Sequence, residues 1–536
     1  MIMSLHLMPA YIIVIPIAFS IAAYLLPEAC SKWVSALCQT LLSLAAFHYF
    51  AGIFDMDIHV ITLGGWEDFA GITLRNDHIS MGFAAMAIFL WWCVLIYAFF
   101  ERLSKSYLFF LLFLEGTFMG LIMSNDLFNL FVFIEVVTIL STMLITYRGD
   151  GSSLRAGFYY LLFNNAGMLF YLIAFIILYQ VCGTLNLQLM KEAVPAYMDE
   201  FSVKLAYVLI TAAFGVKSAF FPVYNWLPKA HSAAPSAVSA LLSGLLVKSG
   251  LYEFIRLNEV FHYASLDLFL AAVGAATAML GVTFALCQKD IKLILAFHTV
   301  SQVGIMFMGI GPFRGFAYSG GMLHLVNHAM FKALLFLCAG MIVSDYKNRN
   351  VTQIRGVLFR FPLLSLFMIV GMLSITGMPS LNGYIGKHII ADSVKHIFWE
   401  KAVLVLVNIG TAASFIKISQ IFTADYRNLR IPVKKLGPEY LPLFLLASSC
   451  ALLAAYYRQL ASWLFELPIP VFTPSDPIHM LEYGGILAAG YGVYHFFIKK
   501  DPPWVGRIRN TDISFENACV LLLGFVCIMS VIVMGL

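Results

Sequence analysis

Apolar residues along the chain gather into runs of about 20, divided by short polar clusters, and each run is long enough to cross a hydrocarbon core of about 30 Å as a helix. Dividing the chain at its polar clusters predicts about 16 spans, the first centred near residue 17 and the last near residue 526. The first run, "PAYIIVIPIAFSIAAYLL", lacks the basic leader of a secretory signal and is followed by further spans, so it reads as a retained helix. One outer loop breaks the pattern. "DIHVITLGGWEDFAGITLRND" alternates like a pair of strands around Gly64 and Gly65, which predicts a small hairpin lying over the outer face.

Two spans are interrupted by proline, glycine and polar residues: the seventh contains "FFPVYNWLPKAHSAAP" and the twelfth "TGMPSLNGYIGKHII". Paired interruptions in corresponding positions point to inverted repeats with a working site near mid-membrane. Ordinary proline kinks are the plainer alternative, and the lysines beside both breaks argue against it. If spans 4–8 form one unit and spans 9–13 another, the odd number starts the second on the opposite side of the membrane. The chain then divides into residues 1–106 (three spans and the hairpin), 107–258 (the first five-span repeat), 265–424 (the second, inverted) and 425–536 (C-terminal spans).

Composition agrees with the pattern. The 536 residues are 61% hydrophobic and only 12% charged, against roughly 25% charged in a soluble domain, and the mean hydropathy is +0.87. The expected fold class is an all-α polytopic membrane protein, with the lipid bilayer as its surroundings. A net charge of +4 gives no reason to expect a nucleic-acid surface. Nine cysteines stand singly with no C-x-x-C, so iron–sulfur and zinc sites are not expected in this chain. No G-x-G-x-x-G or P-loop signature suggests a nucleotide, so no cofactor is expected, and no enzyme active site is evident. The loops "ERLSK", "YRGDGSSLR", "SDYKNRNVTQIRGVLFR", "DYRNLRIPVKK" and "IKKDPPWVGRIR" fall on one side. That side carries roughly 20 lysines and arginines against roughly seven on the other, which makes it the cytoplasmic side and places both termini outside.

The charges inside the spans carry the functional signal. Glu135 lies within the fifth span, in "FNLFVFIEVVTI", where a charge costs roughly 2.5–3.5 kcal/mol on insertion scales. Lys217 lies in the seventh span, Lys248 in the eighth, and Lys387 just after the break in the twelfth. In the eleventh, "GGMLHLVNHAMFKALLF" sets His324, His328 and Lys332 four residues apart, on one helical face. Such faces cannot point at lipid, and several together form a polar track. Burial lowers a lysine's hold on its proton and a nearby carboxylate restores it, while histidines suit relay positions between them. His298 and Lys229 are additional candidates. A static Glu135–Lys217 ion pair and backbone-bonded core histidines are the structural alternatives. Glu115, Glu253, Arg256 and Lys417 are weaker candidates; Glu253 and Arg256 are expected near the outer interface, where long side chains snorkel. His324 and His328 have metal-ligand spacing but no H-E-x-x-H glutamate, so no metal site is expected.

The stretches "SNDLFNLFVFIEVVTILSTMLI", "GVKSAFFPVYNWLPKAHSAAPSAVSALLSGLLVKSGLYEFIRL", "DIKLILAFHTVSQVGIM" and "LVNHAMFKALLFLCAG" resemble the core of the antiporter-like subunits shared by Mrp-type cation/proton antiporters, respiratory complex I and energy-converting membrane-bound hydrogenases. The resemblance runs from about residue 60 to about residue 430 and is strongest to the D subunit of Mrp antiporters. It implies 14 core helices with two inverted five-helix repeats, broken helices 7 and 12, and a hydrated midplane axis. Position by position, it places the family's span-5 glutamate at Glu135, its span-7 lysine at Lys217, its connecting lysine at Lys248, its span-11 motif at His324, His328 and Lys332, and its terminal basic residue at Lys387. Two features depart from the pattern. Lys229 in "WLPKAH" stands where complex I and Mrp members usually have aspartate, and about two spans follow the usual 14.

The expected function is that of a proton-translocating antiporter-like subunit, with sodium coupling open, working beside other membrane subunits in a prokaryotic cytoplasmic membrane. The two departures leave open a redox-driven complex of the hydrogenase, formate hydrogenlyase or complex I type. A solute carrier would instead predict a central pocket at the breaks, and a non-transporting scaffold would not need so many costly charges.

Overall fold

The computed structural model describes residues 7–69, 71–99, 104–423, 437–474 and 476–535. The loop "DYRNLRIPVKK" and residues 101–103 of "ERLSK" lie outside them. Hydrocarbon offers backbone N–H and C=O groups no partner, so the apolar runs satisfy them within helices. Helices stand at every predicted span position. The first six are α1 (Met8–Leu25), α2 (Glu28–Ile53), α3 (His78–Phe99), α4 (Lys105–Met123), α5 (Leu127–Ile145) and α6 (Gly151–Cys182). The broken α7a (Phe201–Lys217) and α7b (Trp226–Ala233) follow, then α8 (Ser236–Val260), α9 (Asp267–Cys287), α10 (Ile291–Ile310) and α11 (Gly315–Tyr346). The second broken span is α12a (Pro362–Thr376) with α12b (Asn382–Ser393), followed by α13 (Phe398–Ser419), α14 (Tyr440–Ala455), α15 (Pro477–Val493) and α16 (Phe515–Met534). Twelve of these are long and apolar enough to cross a membrane, or 13 counting α14 with the segment bent 84° from it. The breaks shorten α7a and α12a to 17 and 15 residues, below a full crossing.

The hairpin forms as predicted, from β1 (Ile58–Thr62) and β2 (Thr73–Asp77), antiparallel with Ile58 opposite Asp77. Gly64 and Gly65, at φ 79° and 71°, turn the start of its connection, a conformation that costs glycine little. Its anchor is electrostatic: Arg256 of α8 reaches Asp77 at 2.7 Å and Arg75 reaches it at 2.8 Å. Burial alone would raise the Asp77 pKa, but Arg256 and then Arg75 outweigh it and hold the carboxyl well below the usual carboxylate range. This corrects the expectation that Glu253 and Arg256 snorkel at the outer interface. Both are buried, at 1% and 2% exposure, because α8 is enclosed by protein over its apolar window and offers no path to lipid or water.

Two stretches of the chain repeat one frame at a constant spacing of 164 residues. The 32-residue α6 begins at Gly151 and the 32-residue α11 at Gly315. Asp126 caps α5 and bridges Asn186; Asp290 caps α10 and bridges Asn350. Left-handed caps close α6 at Gly183 and α11 at Lys347. At the breaks, α7a ends on Lys217, followed by a left-handed Ala219 and a cis Phe221–Pro222 bond, and α12a ends before Gly377 at φ 89°.

Candidate functional site

The first cluster lies where α5, α7a and α8 meet. Lys217, on the last turn of a helix cut short by its break, is 3% exposed, and its ammonium donates to Thr138 Oγ1 at 2.6 Å. Thr138 is one turn beyond Glu135 on α5, so the lysine leans along the face that carries the carboxylate. Glu135 is half-buried, its Oε1 has no protein partner, and Lys217 acts on it electrostatically without a contact ion pair. Gly250 sets the other side. A Cβ there would stand 2.8 Å from the Phe214 carbonyl and 3.0 Å from Lys217 Cβ, so only glycine lets α8 cross this close to α7a. The crossing brings in Glu253, whose two buried carboxyl oxygens have no protein partner and which feels the Lys217 charge. Sequence reasoning ranked Glu253 only among the weaker candidates; its place one turn after Gly250, in a span that holds both Lys248 and Arg256, was the available signal.

Lys248 begins the middle of the line. A π-helical turn over Leu242–Leu246 shifts the hydrogen-bond register of α8, and Lys248 Nζ donates to the Gly244 carbonyl at 2.5 Å. Lys332 on α11 is fully buried, donates to the Leu295 carbonyl of α10, and acts electrostatically on Lys248. One turn back, His328 has neither ring nitrogen bonded, and His324 meets Gln302 of α10 at 3.0 Å through Nε2. The second cluster follows directly. A Cβ at Gly386 would lie 2.6 Å from His324 Cβ, and one at Gly320 would lie 2.9 Å from Ile390 N, so α11 and α12b touch backbone to backbone. That contact sets Lys387 beside His324; its ammonium donates to the Ile375 carbonyl at 2.7 Å and to Asn408 at 3.3 Å.

Donor counts separate the lysines by role. An ammonium has three donors. Lys417 fills all three with the Ala285, Leu286 and Gln288 carbonyls and so caps the end of α9. Lys217, Lys248 and Lys332 each have one side-chain hydrogen bond in the protein, and Lys387 has two. The unbonded buried atoms of Glu135, Glu253, His298, His324 and His328 lie on α5, α8, α10 and α11, the helices around those lysines. Buried polar atoms in numbers like these require ordered water or exchangeable protons. His298 on α10 is fully buried with both ring nitrogens unbonded, feels the charges of Lys332 and Lys387, and has its ring 4.9 Å from that of Phe415. His231, with neither ring nitrogen hydrogen-bonded, stacks on Phe336, next to Lys332, and is a residue that sequence reasoning passed over.

Lys229 lies elsewhere. It pairs with Asp512 at 3.0 Å and covers the Tyr159 ring at 4.1 Å, in a basic cleft shared with Arg148, Arg155, Arg349 and Arg509. Three of the loops predicted to be cytoplasmic therefore converge on one face.

A family profile described as NADH:quinone oxidoreductase/Mrp antiporter, TM matches residues 124–416. The chain belongs to this family. Among its antiporter-like relatives, the D subunit of the Na(+)/H(+) antiporter of Alkalihalophilus pseudofirmus is 30% identical over 387 residues, 70% of this chain and 78% of that protein. Two solved structures share its fold. One, in the membrane-bound sulfane sulfur reductase, an archaeal respiratory membrane complex, has a TM-score of 0.79 at 24% identity, covering 89% of this chain and 99% of that one. The other, in the Mrp complex from Dietzia sp. DQ12-45-1b, has a TM-score of 0.77 at 21% identity, covering 94% and 99%.

Proposed function

We propose that this chain is a proton-translocating, antiporter-like subunit of a multisubunit ion-transporting complex of Mrp type in a prokaryotic cytoplasmic membrane. The observation that carries the reading is the series formed by half-buried Glu135 and the buried Lys217, Lys248, Lys332, His328, His324 and Lys387, running across α5, α7a, α8, α11 and α12b. Each lysine keeps donors to spare, and each histidine keeps an unbonded nitrogen that can take or give a proton. Movement of Glu135 relative to Lys217 changes the stability of the ammonium, because opposite charge within a few ångströms favours it and burial opposes it. A proton released there passes by water and imidazole toward Lys387. Sodium coupling is carried over from the name of the Alkalihalophilus relative, a Na(+)/H(+) antiporter component.

The test is proton flux in vesicles that contain the assembled complex. Glu135→Gln and Lys217→Ala should each reduce coupled transport to background while the subunits still co-purify; wild-type flux in either variant removes the reading. A redox-driven complex is the second reading, favoured by the superposition on a subunit of an archaeal respiratory complex. It predicts co-purifying iron–sulfur subunits and flux that depends on an electron donor.

A further inference from the structure

Beyond the line of buried charges lies a cavity of about 430 Å³ between α12b, α13 and α15. Its shape follows from how α13 and α15 pack. At Gly490 the two helices are in contact: a Cβ there would stand 2.7 Å from Ala412 Cβ and 2.9 Å from Ala413 N. At Gly485, which lines the cavity, a Cβ would meet nothing within 4 Å, so the wedge between α12b, α13 and α15 is open there. Lys387 and Asn408 stand at the base of this wedge. The Tyr384 hydroxyl lies 2.9 Å from His388 Nδ1, the His388 and His479 ring centres are 4.6 Å apart, and His479 Nδ1 is 3.7 Å from the Glu482 carboxylate. Glu482 is 65% exposed at its side chain. Tyr483 fastens α15 to the break itself through a 2.9 Å bond to Thr376.

We propose that α15 completes a water-filled crevice joining Lys387 to the outer face, in which His388, His479 and Glu482 hand protons between the lysine and bulk water. The assignment rests on the translocating role proposed above and gives a role to a helix beyond the 14 that the resemblance implies. One proton leaves Lys387 Nζ, each relay group accepts one and releases one, and only N–H and O–H bonds change. Two imidazoles with ring centres 4.6 Å apart, one of them 3.7 Å from a carboxylate, line the space between the buried ammonium and an exposed oxygen, with water to bridge the gaps between them. The charged or titratable groups facing those imidazoles are Tyr384, Lys387 and Asp392 on α12b, Lys401 on α13, and Asp476 and Glu482 at the start of α15.

Proton flux through vesicles holding the assembled complex tests the crevice. Gly485→Trp, which fills the wedge, should lower flux at least tenfold, whereas Gly484→Trp, on the neighbouring outward position, should leave it within twofold of wild type. His388→Gln combined with His479→Gln should flatten the dependence of flux on outer pH. Wild-type flux in Gly485→Trp, or an unchanged pH profile in the double variant, overturns the proposal; if Gly485→Trp fails to assemble, the double variant decides. Loss of flux in Glu135→Gln alongside normal flux in Gly485→Trp rejects the crevice and leaves the core reading standing. Normal flux in Glu135→Gln rejects the core reading itself.

Discussion

The two five-helix stretches share a frame and differ in chemistry. Where α6 carries Tyr160, Asn164 and Met168, the equivalent positions of α11 carry His324, His328 and Lys332. Where α5 carries Glu135 and Thr138, α10 carries Thr299 and Gln302. The first stretch holds acids within its spans, at Glu115, Glu135 and Glu253; the second keeps its acids at helix ends, at Asp267, Asp290, Asp345, Asp392 and Glu400, and lines its interior with bases alone. Polar side chains at the matched positions make different bonds. Thr138 receives Lys217, while Gln302 meets His324 and Thr299 meets Ser243 of the π turn at 2.8 Å. In the proposed reading this is a division of labour, in which the carboxylate–ammonium region switches the charge on a lysine and the all-base region passes a proton along.

Swapping the chemistry between halves gives the largest effect. The triple change His324→Tyr, His328→Asn and Lys332→Met gives α11 the side chains of α6 and should drop proton flux by roughly 10²-fold or more, the scale of losing acid–base groups; flux assays on assembled complex check it, and a loss below threefold would show that the halves are interchangeable. Next is the hairpin anchor. Asp77→Asn leaves Arg256 buried with its main partner neutralised and should cost about 3–5 kcal/mol of stability, measured as a lower thermal midpoint of the purified complex. Because the folded pKa of Asp77 is depressed, its contribution is fully present above the unfolded value near 4 and fades only as pH falls through the lower folded value. The difference between wild type and variant should therefore stay constant from about pH 5 to 8 and shrink below about pH 4.

A smaller effect is expected from Glu253→Gln, which keeps the shape and removes one of the two carboxylates acting on Lys217: a roughly tenfold loss of flux, about 1.4 kcal/mol of barrier. An unchanged rate would confine the switching role to Glu135. The smallest belongs to Lys229→Ala. Its partly exposed ion pair with Asp512 is worth about 0–1 kcal/mol, so flux should stay within twofold and only the stability of the complex should fall slightly.

The span positions, the hairpin and both broken helices were legible in the sequence because hydropathy, strand alternation and the proline and glycine punctuation each act locally. Lys217, Lys248 and the α11 triplet stood out as costly charges with no local excuse. Glu253 and His231 did not, because their surroundings come from crossings that no local pattern records: Gly250 against Phe214 for the first, and α7b against Phe336 for the second. The burial of Arg256 was not legible for the same reason, since its partner Asp77 lies 179 residues away on β2. The cavity beside Lys387 likewise depends on how α12b, α13 and α15 pack together, which no single helix encodes.

The switching half and the passing half meet at Lys248 on α8, a helix that packs against both α7a and α11. The most direct measurement is proton flux across vesicles containing the assembled complex with Lys248→Met. Flux at background with all subunits present is the predicted result, and flux at the wild-type rate would contradict a continuous line of proton carriers from Glu135 to Lys387.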